Sequence, residues 1–147
     1  MTWLESFGML LGRILIASYF LVSGVTKVSS FESSLLLYQQ QGVPYAALVL
    51  YLSTILLIFG SVFVLLGYRT RVGALFLITA LLPITFVFHN FWEYQDDDLI
   101  FQAAFFFKDI AIVGGLLYVL SRGGGLCSID ALRKFKKSKK ETIEPVP

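Results

Sequence analysis

The stretch Phe105-Phe106-Phe107-Lys108-Asp109 places two opposite charges side by side in the middle of an apolar run from Leu99 to Leu120. That run has the length of a helix that crosses a bilayer, and counting from either end places both charges about 14–16 Å deep, close to the midplane. A charge at the centre of a membrane helix costs about 2.5–3.5 kcal/mol on insertion scales. Other parts of the protein must therefore solvate or pair Lys108 and Asp109.

The composition excludes an ordinary soluble domain. The chain has 147 residues, of which 56% are hydrophobic and 15% charged, and its mean hydropathy is +0.76. Soluble domains are only about 45–50% apolar. The single cysteine, Cys127, excludes an internal disulfide, and the single histidine, His89, excludes a bis-histidine haem within one subunit. The sequence therefore predicts an integral membrane protein with no metal site of its own.

Four apolar segments predict an all-α fold, a four-helix transmembrane bundle. Residues 1–126 form the predicted membrane domain, and residues 127–147 form a basic amphipathic cytoplasmic tail. A cleaved signal peptide is the alternative interpretation of the first segment, but the residues before it lack the usual positive charge. The predicted spans cover about residues 7–26, 45–67, 72–91 and 99–120.

Two amphipathic segments flank the predicted spans. The polar connection from Ser29 to Pro44 contains a short helix that we expect at the membrane surface, with Phe31, Leu35, Leu36 and Tyr38 toward the lipid. Ser128 is predicted to cap a second helix, in the tail. Beside a membrane we expect the tail to bind anionic lipid and not nucleic acid. Its six basic residues are Arg133, Lys134, Lys136, Lys137, Lys139 and Lys140.

The distribution of charge predicts the orientation. In a four-span chain Arg69, Arg71 and Arg122 lie on the same side as the basic tail. The positive-inside rule assigns that side to the cytoplasm. Both termini are then cytoplasmic, and the acidic segment Glu93–Asp98 lies outside.

Three charged residues within the spans are the main candidate site residues. Arg13 either extends to the lipid headgroups or pairs with Asp109, whose predicted depth on an antiparallel helix is similar. Lys108 and Asp109 are predicted not to pair with each other, because adjacent helical residues point about 100° apart. Lys108 shares its face with small residues and is predicted to point into the bundle. We expect Arg13, Lys108 and Asp109 to form a buried polar centre that is either a structural network, a contact between copies, or a proton or ligand site.

Three further residues are secondary candidates. Lys27 lies near the outer end of the first span, where we expect its side chain to extend to the interface. His89 ends the third span, where titration near neutral pH is one interpretation and interfacial hydrogen bonding is the one we expect. Trp92 is expected to anchor the chain at the membrane interface.

An ordered set of short motifs runs through nearly the whole chain. It comprises Gly12-Arg13, Phe20, Ser23-Gly24 and Lys27, then Gly60, Gly67 and Arg71, then Phe88-His89-Asn90-Phe91-Trp92, then Lys108-Asp109 with Gly114-Gly115, and finally Ser128-Ile129-Asp130. In this order the motifs resemble the DoxX family of small bacterial membrane proteins.

The resemblance has departures that concern the candidate site. Family members often carry a glutamate in the second span where this chain has Leu57. Asp109 stands where asparagine is common, and Asn90 stands where aspartate usually follows the histidine. The buried acid has therefore moved from the second span to the fourth in this interpretation, which weakens any proton or quinone role inferred from the missing glutamate.

The resemblance also implies a location and a class of function. Relatives include subunits of quinone-linked oxidoreductases, such as thiosulfate:quinone oxidoreductase, and members of membrane complexes that manage thiol and oxidative stress. It implies a multi-pass protein of the bacterial inner membrane that serves as a non-catalytic or quinone-facing subunit or anchor of a redox complex. A quinone is the cofactor implied, redox proteins or further copies of the chain are the partners, and catalysis by the isolated chain is not expected. The alternatives are a small transporter or exporter and a structural scaffold without a ligand.

Overall fold

Residues 3–143 are described by a computed structural model, with the side chains of residues 140–143 left out. Within this range the chain forms six α-helices and one short 3-10 helix, Phe91–Glu93. The α-helices are α1 (Trp3–Ser29), α2 (Phe31–Gln40), α3 (Ala46–Leu66), α4 (Thr70–Phe88), α5 (Asp96–Arg122) and α6 (Ile129–Ile143). Helices α1, α3, α4 and α5 are long and apolar enough to cross a membrane. The predicted all-α, four-span fold is confirmed, while the predicted lipid contact of the Lys140 side chain lies outside the described residues.

The four spanning helices differ in length, which shifts their ends relative to one another. Helices α1 and α5 have 27 residues each, whereas α4 has only 19. The first turns of α5 therefore extend past the end of α4, and Asp96, Asp97 and Asp98 occupy the first of them, where negative charge is favourable. We call the end of the bundle with Glu93–Asp98 the acidic end, and the opposite end, with Arg69, Arg71 and Arg122, the basic end.

Helix α3 forms the centre of the bundle. It packs against both α1 and α4, and α4 in turn packs against α5, whereas α1 and α5 touch only loosely. Helices α3 and α4 approach closely at two glycines, since a Cβ on Gly73 would lie 2.9 Å from the carbonyl oxygen of Gly60. The best-buried apolar residues, each at most 1% exposed, are Ala17, Phe20, Leu50, Val64, Ala74, Leu77 and Leu116.

The short helix α2 covers the acidic end of α3. A helix was predicted in this connection, and it forms. The expected lipid-facing position of Tyr38 is wrong, because its side chain is 3% exposed and packs with Leu50 and Phe88. The ring of Phe31 stacks on Tyr51 with centroids 4.6 Å apart. The aromatic residues of α2 thus attach it to the bundle.

At the basic end, Asp130 ties the start of α6 to the turn between α3 and α4. Its carboxylate accepts hydrogen bonds from the backbone N–H groups of Arg69, at 2.9 Å, and Thr70, at 3.0 Å, and from the Thr70 hydroxyl. Its own N–H donates to the Gly67 carbonyl at 2.9 Å. The Ser128 hydroxyl oxygen accepts the Ala131 N–H at 3.1 Å, which confirms the predicted cap of this helix.

These contacts predict an acid-side loss of stability. Burial by itself raises the pKa of Asp130, but the hydrogen bonds from Thr70 and Arg69 and the charge of Arg133 together lower it below its ordinary value. A carboxyl group with a lowered folded pKa stabilises the fold above its unfolded pKa, about 3.9, and the contribution is lost as the pH falls through the folded pKa. We expect Asp130→Asn to lower the melting temperature in detergent at pH 7. We also expect its melting temperature to fall less than that of the wild type between pH 5 and 3.

The matched control for this prediction is Asp97→Asn, which removes an exposed carboxylate from the first turn of α5. Melting temperatures of the wild type and both variants are compared across the pH range. A pH profile of Asp130→Asn that parallels the wild type would contradict the assigned role of this carboxylate.

Candidate functional site

Asp109 is the buried acid of the bundle, 3% exposed beside the last turn of α4. The Thr85 hydroxyl donates to its Oδ2 at 3.0 Å, and His89 Nε2 lies 3.8 Å from the same oxygen. Lys108 Nζ lies 3.4 Å from Oδ1, yet Oδ1 accepts no hydrogen bond from any residue that the structure describes. This carboxylate therefore keeps a buried acceptor position for another donor.

His89 links Asp109 to a second polar residue of α5. Its Nδ1 lies 2.9 Å from the side-chain oxygen of Gln102. That oxygen is an acceptor, so Nδ1 carries the hydrogen, and in the neutral ring Nε2 presents a lone pair to Asp109. One added proton converts Nε2 to a donor and pairs the two groups. Asp109, His89 and Gln102 thus form a chain of polar side chains that joins the end of α4 to α5.

Lys108 was predicted not to pair with Asp109 and to point into the bundle, and both predictions are wrong. Its Nζ lies within ion-pair distance of the adjacent Asp109, and its side chain is 45% exposed instead of pointing into the bundle. Although neighbouring Cβ atoms on a helix diverge, the flexible four-carbon lysine chain folds back far enough to bring the charges together. The ammonium group also lies 5.0 Å from the centre of the Phe105 ring and 5.9 Å from that of Tyr19, a favourable cation–π geometry.

Two adjoining cavities connect these groups to α1 and α2. One, of about 100 Å³, is lined by Lys27, His89, Lys108 and Asp109 among others. The second, of about 230 Å³, shares Lys27 and His89 with the first and extends along α2. Lys27 does not extend away from the protein, since its ammonium lies over the Tyr38 ring, 5.7 Å from the centroid. We call Lys27, His89, Lys108 and Asp109 the polar site.

The smaller cavity also brings Leu57 and Asp109 to the same space. Leu57, on α3, lines this cavity together with Asp109, on α5. A carboxylate on α5 therefore enters the same space that a carboxylate at position 57 would border. The interpretation that the acid has moved from one helix to another is consistent with this geometry.

Arg13 lies at the other end of the bundle, so the predicted polar centre of Arg13, Lys108 and Asp109 is not assembled. Its guanidinium group donates to the backbone carbonyl of Gly124, to that of Cys127 at 2.9 Å and to that of Leu65 at 3.4 Å. Fifteen residues separate Gly124 from Asp109, roughly 20 Å at about 1.5 Å per residue.

The proposed ion pair between Arg13 and Asp109 is therefore wrong, and so is the alternative in which Arg13 extends to the headgroups, because its side chain is only 2% exposed. The physical reason lies in the helix ends. The last carbonyl groups of a helix lack intrahelical partners and carry partial negative charge. Leu65, in the last turn of α3, offers such a carbonyl, and Gly124 and Cys127, in the loop after α5, offer two more, so both terminal nitrogens of the guanidinium have acceptors without a carboxylate.

Trp92 lies in the short 3-10 helix at the acidic end and is 54% exposed. Its ring contacts Phe86, Phe91 and Phe106, with centroids 5.3–6.4 Å apart. This aromatic cluster adjoins the polar site through α4 and α5. The interfacial role of Trp92 stays a prediction.

Two polar residues of the site escaped selection from the sequence. Thr85 and Gln102 both lie within apolar spans, where a polar side chain needs a partner. Thr85 precedes His89 by one helical turn, and Gln102 precedes Asp109 by two, so each shares a face with one of these two residues and hydrogen-bonds to the other across the α4–α5 contact. That spacing is the signal that could have identified them.

Comparisons with known proteins agree with this architecture. The DoxX family model matches residues 8–90. Inner membrane protein YqjF of Escherichia coli is 34% identical over 134 residues, which cover 90% of this chain and 97% of that protein. Inner membrane protein YphA of the same organism is 24% identical over 83% of this chain and 87% of its own length.

A third similarity covers a smaller part of a longer protein. The ER-derived vesicles protein ERV29 of Saccharomyces cerevisiae is 29% identical over 83 residues, which are 56% of this chain but only 27% of that protein. No solved structure matches the chain. The similarity to two bacterial inner membrane proteins and the four spanning helices confirm the predicted location in the inner membrane. With its family match and its extended similarity to YqjF, the chain belongs to the DoxX family.

Proposed function

We propose that this protein is a quinone-facing subunit of a membrane redox complex and that its polar site holds the quinone ring and exchanges protons with it. The observation that carries the proposal is the buried Oδ1 of Asp109, which lacks a hydrogen-bond partner among the described residues while two lysines and a histidine surround the adjoining cavity. A net positive, titratable cluster beside apolar walls is suited to a ligand with carbonyl or hydroxyl oxygens.

The residues present fit such a ring. The ammonium groups of Lys27 and Lys108 are donors for carbonyl oxygens, and Leu37, Ile84 and Phe88 supply apolar surface in the larger of the two cavities. Ligand pockets usually measure about 300–1,000 Å³. Neither cavity, at about 100 and 230 Å³, reaches that size alone, but the two meet at Lys27, Ile84 and His89. A bound quinone supplies two-electron redox chemistry and takes up two protons when it is reduced.

In this proposal the chain's own residues deliver protons to the quinone one at a time, while the electrons come from the redox partner in the complex. His89, held through Nδ1 by Gln102, presents Nε2 toward Asp109, and in this proposal a proton bound at Nε2 lies between the two groups. Lys108 neutralises the carboxylate when that proton leaves. The positive charge at Arg69, Arg71 and Arg122 supports an orientation with the basic end in the cytoplasm, and this part of the proposal places the polar site toward the outer face of the membrane.

A binding titration tests the proposal. The wild-type protein in lipid nanodiscs is titrated with a short-chain ubiquinone, and we expect saturable binding. Lys108→Leu is expected to weaken this binding about tenfold or more, because a hydrogen bond to a charged group contributes about 1.5–3 kcal/mol. Lys139→Leu, at an exposed position of α6, is the matched control and is expected to bind as the wild type does. Absence of saturable binding by the wild type, or equal binding by Lys108→Leu, would refute the quinone role.

A proton-coupled small transporter is the second candidate, favoured by the same pairing of His89 with Asp109. It predicts proton movement across proteoliposome membranes that Asp109→Asn abolishes, without any need for quinone. Proton movement with no quinone binding would favour the transporter, whereas quinone binding with no proton movement would favour the redox subunit.

A further inference from the structure

A large cavity lies at the basic end, far from the polar site. It measures about 860 Å³ and lies between the turn that joins α3 to α4 and the segment from Arg122 to Lys134. Asp130 is the acid in its lining, and that carboxylate already accepts hydrogen bonds from Arg69 and Thr70. Five cationic residues line the cavity, namely Arg69, Arg71, Arg122, Arg133 and Lys134.

Aromatic and backbone contacts hold several of these cations in place. The guanidinium groups of Arg122 and Arg133 lie over the rings of Tyr118 and Tyr68, 5.9 and 5.3 Å from the centroids. Arg71 donates to the Ser121 carbonyl at 3.0 Å. A guanidinium group that packs against a ring face keeps N–H groups at its edge for an anion. The cavity is therefore preorganised for a negatively charged group.

An apolar cleft adjoins this basic cavity. It lies between the loosely packed helices α1 and α5 and measures about 390 Å³. Its lining is mainly glycine and apolar residues, such as Gly8, Gly12 and Ile16, with Glu5 and Arg13 as the charged residues. Gly123 lines both the cleft and the basic cavity. A Cβ on Gly8 or Gly12 would meet nothing within 4 Å, so packing within the chain does not require these glycines. Glycine weakens a helix interior, and here its small size keeps the cleft open.

We propose that the basic cavity and the cleft together bind a membrane lipid, with a phosphate headgroup among the arginines and an acyl chain between α1 and α5. Basic pockets between helices at the cytoplasmic side of a membrane bind anionic headgroups. Five cations exceed the single charge of a phosphodiester, so a lipid with two phosphates is the preferred ligand. Leu132 and Phe135 of α6 are 63% and 72% exposed, as befits a helix that lies in the interface beside such a headgroup.

Lipid titration of the detergent-purified full chain tests the headgroup part of the proposal. Cardiolipin is expected to bind more tightly than phosphatidylglycerol, and phosphatidylcholine is expected not to bind. Arg122→Gln with Lys134→Gln should weaken cardiolipin binding about tenfold or more, because each substitution removes a charged donor to phosphate from the lining of the cavity. Lys136→Gln with Lys139→Gln removes the same charge from exposed positions of α6 outside the cavity and should have less than about a twofold effect. Equal losses in the two double variants would overturn the site, because they indicate attraction by diffuse charge alone.

A second pair of variants tests the cleft. Gly12→Leu fills it and is expected to weaken cardiolipin binding several-fold while leaving the binding of inorganic pyrophosphate unchanged. Gly114→Leu is the control, because Gly114 also has open space around it but does not line the cleft. Gly8→Leu replaces Gly12→Leu if the latter fails to fold. Pyrophosphate binding as tight as that of cardiolipin, with lipid binding unaffected by the filled cleft, would show that the ligand is a free phosphate and overturn the lipid proposal.

Discussion

Arg13→Met is expected to destabilise the folded protein by about 3 kcal/mol. The guanidinium group is 2% exposed and donates to carbonyl groups from the end of α3 and from the segment that follows α5. Methionine fills a similar volume but leaves these carbonyl oxygens without their donor in an apolar environment. Arg13→Lys is expected to recover only part of the loss, since one ammonium group does not reproduce a planar fork of donors. Unfolding in mixed detergent micelles measures the effect.

A charge swap separates this role from the ion pair that the sequence had suggested. If Arg13 paired with Asp109, Arg13→Asp combined with Asp109→Arg would restore stability. Because the two residues lie at opposite ends of the bundle, we expect the double variant to be at least as unstable as either single variant. Recovery of wild-type stability by the swap would contradict the placement of Arg13.

Gly73→Ala is expected to separate α3 from α4 and to destabilise the bundle by about 1–3 kcal/mol. The added Cβ would lie 2.7 Å from the Cβ of Phe63 and 2.9 Å from the carbonyl oxygen of Gly60. Backbone atoms form part of that contact, so a change of side-chain rotamer does not relieve it. Close approach through small residues is a common way for membrane helices to pack.

Gly114→Ala is the matched control for this second effect. It makes the same substitution within α5 at a position where a Cβ meets nothing within 4 Å. Alanine is the better helix former by about 1 kcal/mol, so the control is expected to be neutral or slightly more stable in the same unfolding assay. A Gly73→Ala variant as stable as the Gly114→Ala variant would contradict the close packing of α3 and α4.

The spans, the two amphipathic helices and the Ser128 cap could be predicted from the sequence because each depends on local pattern. Apolar segments of sufficient length define membrane helices, and a serine before an amphipathic segment favours a helix start. The positions of the helices relative to one another along the bundle axis were not predictable in this way. Asp109 lies near the middle of α5, but the shorter α4 ends beside it. Its neighbours are therefore Thr85 and His89, at the end of α4, and not residues from the middle of that helix.

The partners of the charged residues depended on information that local pattern does not contain. The acceptors of Arg13 are backbone carbonyls more than fifty residues away in sequence. Every residue has a backbone carbonyl, so the residue types do not show which carbonyls accept. The Lys108 ammonium lies within ion-pair distance of the Asp109 carboxylate although their Cβ atoms diverge, because the lysine side chain is flexible. Lys27 lies over the ring of Tyr38 because that residue of α2 is buried against the bundle, which the sequence did not predict.

Photoaffinity mapping of the quinone position is the most direct test of the proposed quinone site around Asp109. The wild-type protein in nanodiscs is labelled with a photoreactive ubiquinone analogue, digested, and sequenced by mass spectrometry. We expect labels near Lys27, Tyr38 or His89, displaced by excess ubiquinone and lost in Lys108→Leu. Labels that resist displacement, or that fall on Gly8–Ile16 at the opposite end of the bundle, would contradict a quinone site around Asp109.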